Sequence, residues 1–194
     1  MKTQPLNWFD ARSLVISLVN IEKYEDALLL LLGIMTGFRT EDLLSVTVGH
    51  LKQEKLSIIE GKTDKKRDIP LMRFHEVFRN IFPEDYLTHK RNNQYLFTSK
   101  AGRSSGEKLT VNGVNVRLKK IFAEFDIETP KESSRILRKT YARRRFDLLV
   151  EELGDKYMAL CIVGKDFNHE SIYTTMTYIG LVDEALATTN DIFW

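Results

Sequence analysis

The segment Phe167 to Gly180, FNHESIYTTMTYIG, places His169 nine residues ahead of Tyr178. A phenol becomes a nucleophile when its proton is taken and its target is held, so Tyr178 could attack a phosphorus if cations stand nearby. Three upstream stretches offer such cations. TGFRTEDLL puts Arg39 after an apolar run and a glycine, EGKTDKKR puts Lys62, Lys65 and Lys66 on one polar turn with nothing local to choose among them, and LRKTYARRR puts Arg138 early in a helical stretch. Leu137 and Tyr141 can hold the other face of that last stretch. Singly, each has an ordinary reading: a surface arginine in an ion pair, a solvated hairpin lysine, a structural histidine, and a core tyrosine with its hydroxyl at the surface. Only as a set do they point to phosphate chemistry.

The charge pattern agrees with the set. The formal net charge is only +2, yet residues 1–60 carry −2, residues 61–145 carry +11 and residues 146–194 carry −7. Lys65-Lys66-Arg67, Lys90-Arg91, Lys119-Lys120, Arg138-Lys139 and Arg143-Arg144-Arg145 make up much of the central excess. Such a concentration is a footprint for a polyanion; the bland alternative is a solvated surface balanced in space by the acidic ends.

At 194 residues with 43% hydrophobic content, the chain suits one domain with a sizeable core. No run of about 18 apolar residues is present, and MKTQPLNWFDAR lacks the layout of a secretory signal, so a cytoplasmic protein with no membrane contact is expected. Cys161 is alone between Leu160 and Ile162 and reads as a core residue, with no second cysteine for a bridge or a metal site.

The elements that must position these residues follow from periodicity. Asp10 is the expected cap of a first helix over 11–19, and a second, too apolar for a surface, spans 24–36 and stops at Gly37. A short helix starts near Thr40. SVTVGHL, KLSIIEG and KRDIPL read as strands, the last two joined by the basic tip GKTDKKR. Helices are expected over 72–81 and 112–125, with a turn over 85–89 and a polar loop, NNQYLFTSKAGRSSGEK, between them. Four more cover 132–152, 156–163, 171–178 and 183–190. The class is α+β, mainly helical, with a small three-stranded antiparallel sheet.

In this order the motifs resemble those of the catalytic domain of the tyrosine recombinase, or phage integrase, family. TGFRTEDLLSVTV is similar to the first arginine box, with Asp42 at its acidic position; EGKTDKKRDIPL resembles the hairpin of the catalytic lysine; SSRILRKTYA resembles the second arginine box; and FNHESIYTTMTYIG resembles the closing histidine and tyrosine box. The resemblance covers about residues 9–180. It implies that Tyr178 attacks a DNA phosphorus to give a 3′-phosphotyrosyl link, that Arg39 and Arg138 hold the phosphate oxygens, that Lys62 protonates the leaving 5′-oxygen, and that His169 donates to the phosphate or the tyrosine. Arg135 stands where the family usually has histidine or lysine. It can bind phosphate, but a guanidinium stays charged and has no acceptor, so it cannot act as a base at neutral pH.

The resemblance further implies double-stranded DNA as partner, a homo-oligomer (tetramer) on that DNA, and neither metal nor cofactor. Lys65, Lys66 and Arg67 on the hairpin, with Lys139 and Arg143 on the second arginine's helix, are expected at the DNA backbone. Residues 1–194 are expected to be a single catalytic domain without the family's upstream core-binding domain. The tail LVDEALATTNDIFW is expected as a helix, packed on a neighbouring protomer or on its own domain. The rival readings are a catalytically silent DNA-binding regulator of the same fold, a type IB topoisomerase-like enzyme or telomere resolvase, and a generic helical domain with a protein partner.

Overall fold

The computed structural model describes residues 3–62, 64–100 and 105–191. Apolar residues at helical spacing set its frame. Helix α1 (Trp8–Asn20) buries Ala11, Leu14, Val15 and Leu18. It begins before Asp10 because the Asn7 side chain accepts from the Phe9 and Asp10 amides and takes the capping position. Helix α2 (Tyr24–Thr36) is apolar on every side and buries the unbroken run Ala27 to Ile34, so it forms the centre of the protein. Gly37 ends it with φ 60°, and a Cβ there would collide with the Tyr141 ring, so both backbone and space require glycine.

Helix α3 (Thr40–Leu44) follows, with Arg39 at its N-cap position, one residue before the expected Thr40 cap. The strand expected at SVTVGHL is not formed. Thr47 makes one isolated bridge to Tyr95, and the next residues turn into α4 (Val48–Leu51). The cause is a capping box: the Thr47 side chain accepts from the His50 amide while His50 Nδ1 accepts from the Thr47 amide at 3.1 Å. Among the described residues the sheet therefore has two strands, β1 (Lys55–Ile59) and β2 (Lys66–Pro70). They pair antiparallel from Lys55↔Pro70 to Ile59↔Lys66.

The remaining helices are α5 (Met72–Ile81), α6 (Val111–Glu124), α7 (Arg135–Leu153), α8 (Lys156–Phe167), α9 (Ile172–Tyr178) and α10 (Leu181–Asp191). Helix α8 runs one turn further than expected, to an Asn168 cap at φ 55°. Residues 101–104 of the polar loop, Thr63 of the hairpin and the final Phe193 and Trp194 lie outside the described residues.

Two hydrophobic clusters result. The larger gathers α1–α6 with Ile136 and Leu137 from the start of α7. The smaller joins Ala142, Phe146 and Leu149 of α7 to Ala159, Leu160, Val163, Phe167 and Ile179. Helix α7 thus belongs to both. Cys161 is partly exposed, so the expectation of a core thiol does not hold. No helix among the described residues is long and apolar enough to cross a membrane.

Candidate active site

The end of α2 leaves main-chain carbonyls without helical partners, at the negative pole of the helix. Two arginines use one of them. Arg138 Nη1 donates to Gly37 O at 2.5 Å and Arg67 Nη1 to the same oxygen at 3.3 Å. The Arg138 guanidinium lies 4.4 Å from the centre of the Phe167 ring, and that of Arg67 lies 5.2 Å from Phe38 and 5.7 Å from Tyr141. Arg39 leaves an extended backbone at the start of α3 and donates to Glu60 Oε2.

Glu60 is the residue that sequence reasoning passed over. Only 5% exposed, its carboxylate meets Arg39, lies 3.7 Å from Arg138 Nη1 and lies 3.8 Å from Arg67 Nη1. A lone acid between the apolar KLSII and the basic GKTDKKR was the available signal. Asp42, also buried, accepts from the Gly61 amide at 3.0 Å and ties the turn that carries Lys62 to α3. Burial pushes the Arg138 pKa below its ordinary value, with Arg39 and Arg67 adding to the shift and Tyr178 and Glu60 opposing it.

On the facing side, α8 ends at Asn168 and the His169 amide donates to Gly164 O at 2.8 Å, which turns the chain toward α9. Phe167, His169 and Tyr178 then form a ring cluster: His169 meets Tyr178 edge-on at 4.9 Å, and Phe167 lies 5.6 Å from Tyr178. Thr175 Oγ1 donates to Ser171 O at 3.3 Å and lies 3.1 Å from His169 Nδ1. In the tautomer that lets Thr175 keep this bond, Nδ1 carries the imidazole proton and Nε2 is left as an acceptor. Burial, with a smaller push from Arg138, lowers the His169 pKa below 6.5 and keeps the ring neutral at pH 7.

Tyr178 closes α9. Burial raises the pKa of its hydroxyl, while the nearby cations Arg138, Arg135 and Arg39 pull the value back down. Lys139 Nζ lies 5.1 Å from the Tyr178 ring centre and donates to Thr3 O at 2.6 Å.

One cleft of about 650 Å³ is lined by Arg39, Lys62, Arg135, Arg138, His169 and Tyr178 together, with Lys139 among its other walls. Every residue assigned to chemistry in the sequence is thus brought to one place. The residues assigned to the DNA backbone divide. Lys65 and Lys66 are exposed, and Lys65 Nζ donates to Asn168 Oδ1 at 3.0 Å, so the hairpin reaches the histidine segment. Arg67 points inward, and Lys139 is buried beside the tyrosine. Arg143 forks onto Asp147 and Glu184 and is not part of the cleft wall. Among the described residues, no group of three His, Cys, Asp or Glu side chains stands close enough to hold a metal ion.

Comparison with known proteins fits this geometry. The sequence model of the phage integrase family matches residues 10–184. Among curated proteins no sequence matches. Among solved structures, the XerH site-specific recombinase bound to palindromic difH substrate in a post-cleavage complex superposes with a TM-score of 0.58 at 19% identity, covering 98% of this chain and 53% of that one. The XerA recombinase gives 0.61 at 18% identity, covering 98% and 63%. The Tn1549 transposon integrase in complex with transposon right end DNA gives 0.61 at 14% identity, covering 100% and 67%. At these identities the likeness is one of fold, and the chain spans between about half and two-thirds of each solved protein's length.

Proposed function

The chain belongs to the phage integrase family, and from that premise we propose that it is the catalytic domain of a site-specific DNA recombinase that cuts and rejoins DNA through Tyr178. The observation that carries the reading is the shared cleft, where Tyr178 meets Arg39, Lys62, Arg135, Arg138 and His169.

In the proposed step, Tyr178 Oη bonds to a backbone phosphorus and the bond from phosphorus to the 5′-oxygen breaks. The products are a 3′-phosphotyrosyl link and a free 5′-hydroxyl. Arg39 and Arg138 hold the non-bridging oxygens, where negative charge gathers in the transition state. Both are already engaged before DNA arrives, Arg138 by Gly37 O and Arg39 by Glu60. Lys62 is exposed on the hairpin turn and gives a proton to the leaving 5′-oxygen. His169 accepts the phenol proton at Nε2, a duty that Arg135 cannot take, and the imidazolium so formed donates to the phosphate. Arg135 adds a further exposed positive charge at the first turn of α7. Rejoining is the reverse: the 5′-hydroxyl attacks the phosphotyrosine and Tyr178 leaves, so the energy of the broken diester is kept.

Double-stranded DNA as partner, a homo-oligomer on it, action in the cytoplasm and a single catalytic domain over 1–194 belong to the same proposal. Lys65 and Lys66 would follow phosphates at the hairpin, so that affinity falls steeply with salt. The test is covalent trapping: a pool of nicked duplexes of randomised sequence is incubated with the protein and run on a denaturing gel. A protein–DNA adduct is expected with wild type and none with Tyr178→Phe. An adduct that survives Tyr178→Phe, or no adduct from any duplex, would overturn the reading and favour a silent DNA-binding regulator.

A further inference from the structure

Glu60 has no part in the scheme above beyond its contact with the arginines, yet its setting is costly. A carboxylate only 5% exposed has given up its water, and that loss is repaid only by well-placed partners. It has three. Arg39 donates to one of its oxygens, while Arg138 and Arg67 lie 3.7 and 3.8 Å from the other. Three guanidiniums gathered at one half-buried spot repel one another, and one carboxylate among them leaves a surplus of two positive charges for an incoming phosphate.

The backbone links the same residue to the lysine. Glu60 N donates to Lys65 O at 3.0 Å and Glu60 O accepts from the Asp64 amide at 2.9 Å, closing the turn on which Lys62 sits two residues away. The Glu60 backbone therefore frames the turn of the proton donor while its side chain aims the two arginines of the clamp.

We propose that Glu60 is a positioning residue for strand cleavage. Its carboxylate holds Arg39 and Arg138 in the directions a phosphate requires, at the cost of part of the positive charge available for binding DNA. The inference rests on the cleavage chemistry proposed above. It makes a prediction of opposite signs. Removing the charge frees the arginines, so DNA is bound more tightly, but they lose their aim and cleavage slows. A residue that merely props the hairpin would weaken both together or neither.

The experiment compares wild type with Glu60→Gln, Glu60→Asp and Glu60→Ala, each checked for folding by circular dichroism. Affinity is read on an unnicked duplex over a range of salt, and single-turnover adduct formation on the trapped duplex. Glu60→Gln keeps the shape and loses the charge; it is expected to bind at least about threefold tighter with a steeper salt dependence, and to form adduct about 100-fold more slowly. Glu60→Asp keeps the charge at a shorter reach and should recover part of the rate. If Glu60→Ala does not fold, the Gln and Asp variants carry the comparison. Folded variants that cleave within about threefold of wild type, or that lose affinity and rate in parallel, would overturn the proposal. A wild type that forms no adduct would instead sink the cleavage reading, while the affinity arm would still report whether Glu60 restrains the arginines.

Discussion

Arg39, Lys62 and Arg138 reach the cleft from elements seated on the larger hydrophobic cluster, whereas His169 and Tyr178 hang from the smaller one. The difference extends to how each side is fixed. The arginines are held by a main-chain oxygen and a buried carboxylate. The tyrosine is held by ring contacts with Phe167 and His169. A phosphate clamp gains from rigidity, because donors already in place need no reorganisation in the transition state. A nucleophile that must advance on phosphorus and later leave it suits a lightly anchored segment, and local opening is easier where fewer apolar contacts must be broken.

The contrast can be broken from either side. The largest effect is expected on the clamp: Arg138→Ala should slow single-turnover adduct formation by at least about 1,000-fold in folded protein. Arg138→Lys should recover little, since a point charge cannot span Gly37 O and the Phe167 face as a planar fork does. Next comes the nucleophile's cluster. Phe167→Ala removes the ring that packs on both Arg138 and Tyr178 and should cost about 3 kcal/mol in denaturant unfolding. If the two regions differ as argued, amide exchange in that variant will speed up in α8 and α9 and stay near wild type in α2. Uniform acceleration would show a single cooperative unit instead.

A smaller effect sharpens the comparison through pH. The folded protein resists protonating His169, so between its lowered folded pKa and 6.5 the unfolded chain binds more protons. Stability from this group is therefore full above 6.5 and falls as pH drops through the folded value. A melting series from pH about 7 to about 5 should fall less steeply for His169→Asn than for wild type. The adduct rate of wild type should level off at a pH below 6.5, the limb belonging to His169 as proton acceptor.

Much of this was legible in the chain. Helix α2 was read from Tyr24 to Thr36 because an apolar run stopped by a glycine admits few other shapes. The residues assigned to chemistry were legible as motifs, since each has a recognisable neighbourhood. Those assigned to DNA contact were less so, because local charge does not say which way a side chain faces. In β2 the pleat alternates, so Lys66 and Asp68 stand outside while Arg67 between them turns in toward Phe38 and Tyr141. The third strand was misread because the alternation of SVTVGHL looked β-like, whereas Thr47 and His50 cap a helical turn. Glu60 was marked only by its place between an apolar strand and a basic turn, and its role stayed hidden because its burial exists only once three arginines, 21 residues upstream and 7 and 78 downstream of it in the chain, converge.

The oxygen of Gly37 carries one last consequence. A side-chain anchor for Arg138 could be lost by a single base change, as any of its atoms can be exchanged for another residue's. A peptide carbonyl is present whatever codon is used, so sequence drift cannot delete it. Drift can only displace it, by forcing the backbone at a residue whose φ of 60° and contact with Tyr141 exclude a side chain. The clamp's most direct support is thereby reduced to one vulnerable codon, that of the glycine itself, and selection at that codon would preserve a charge-holding geometry without acting on any charged residue.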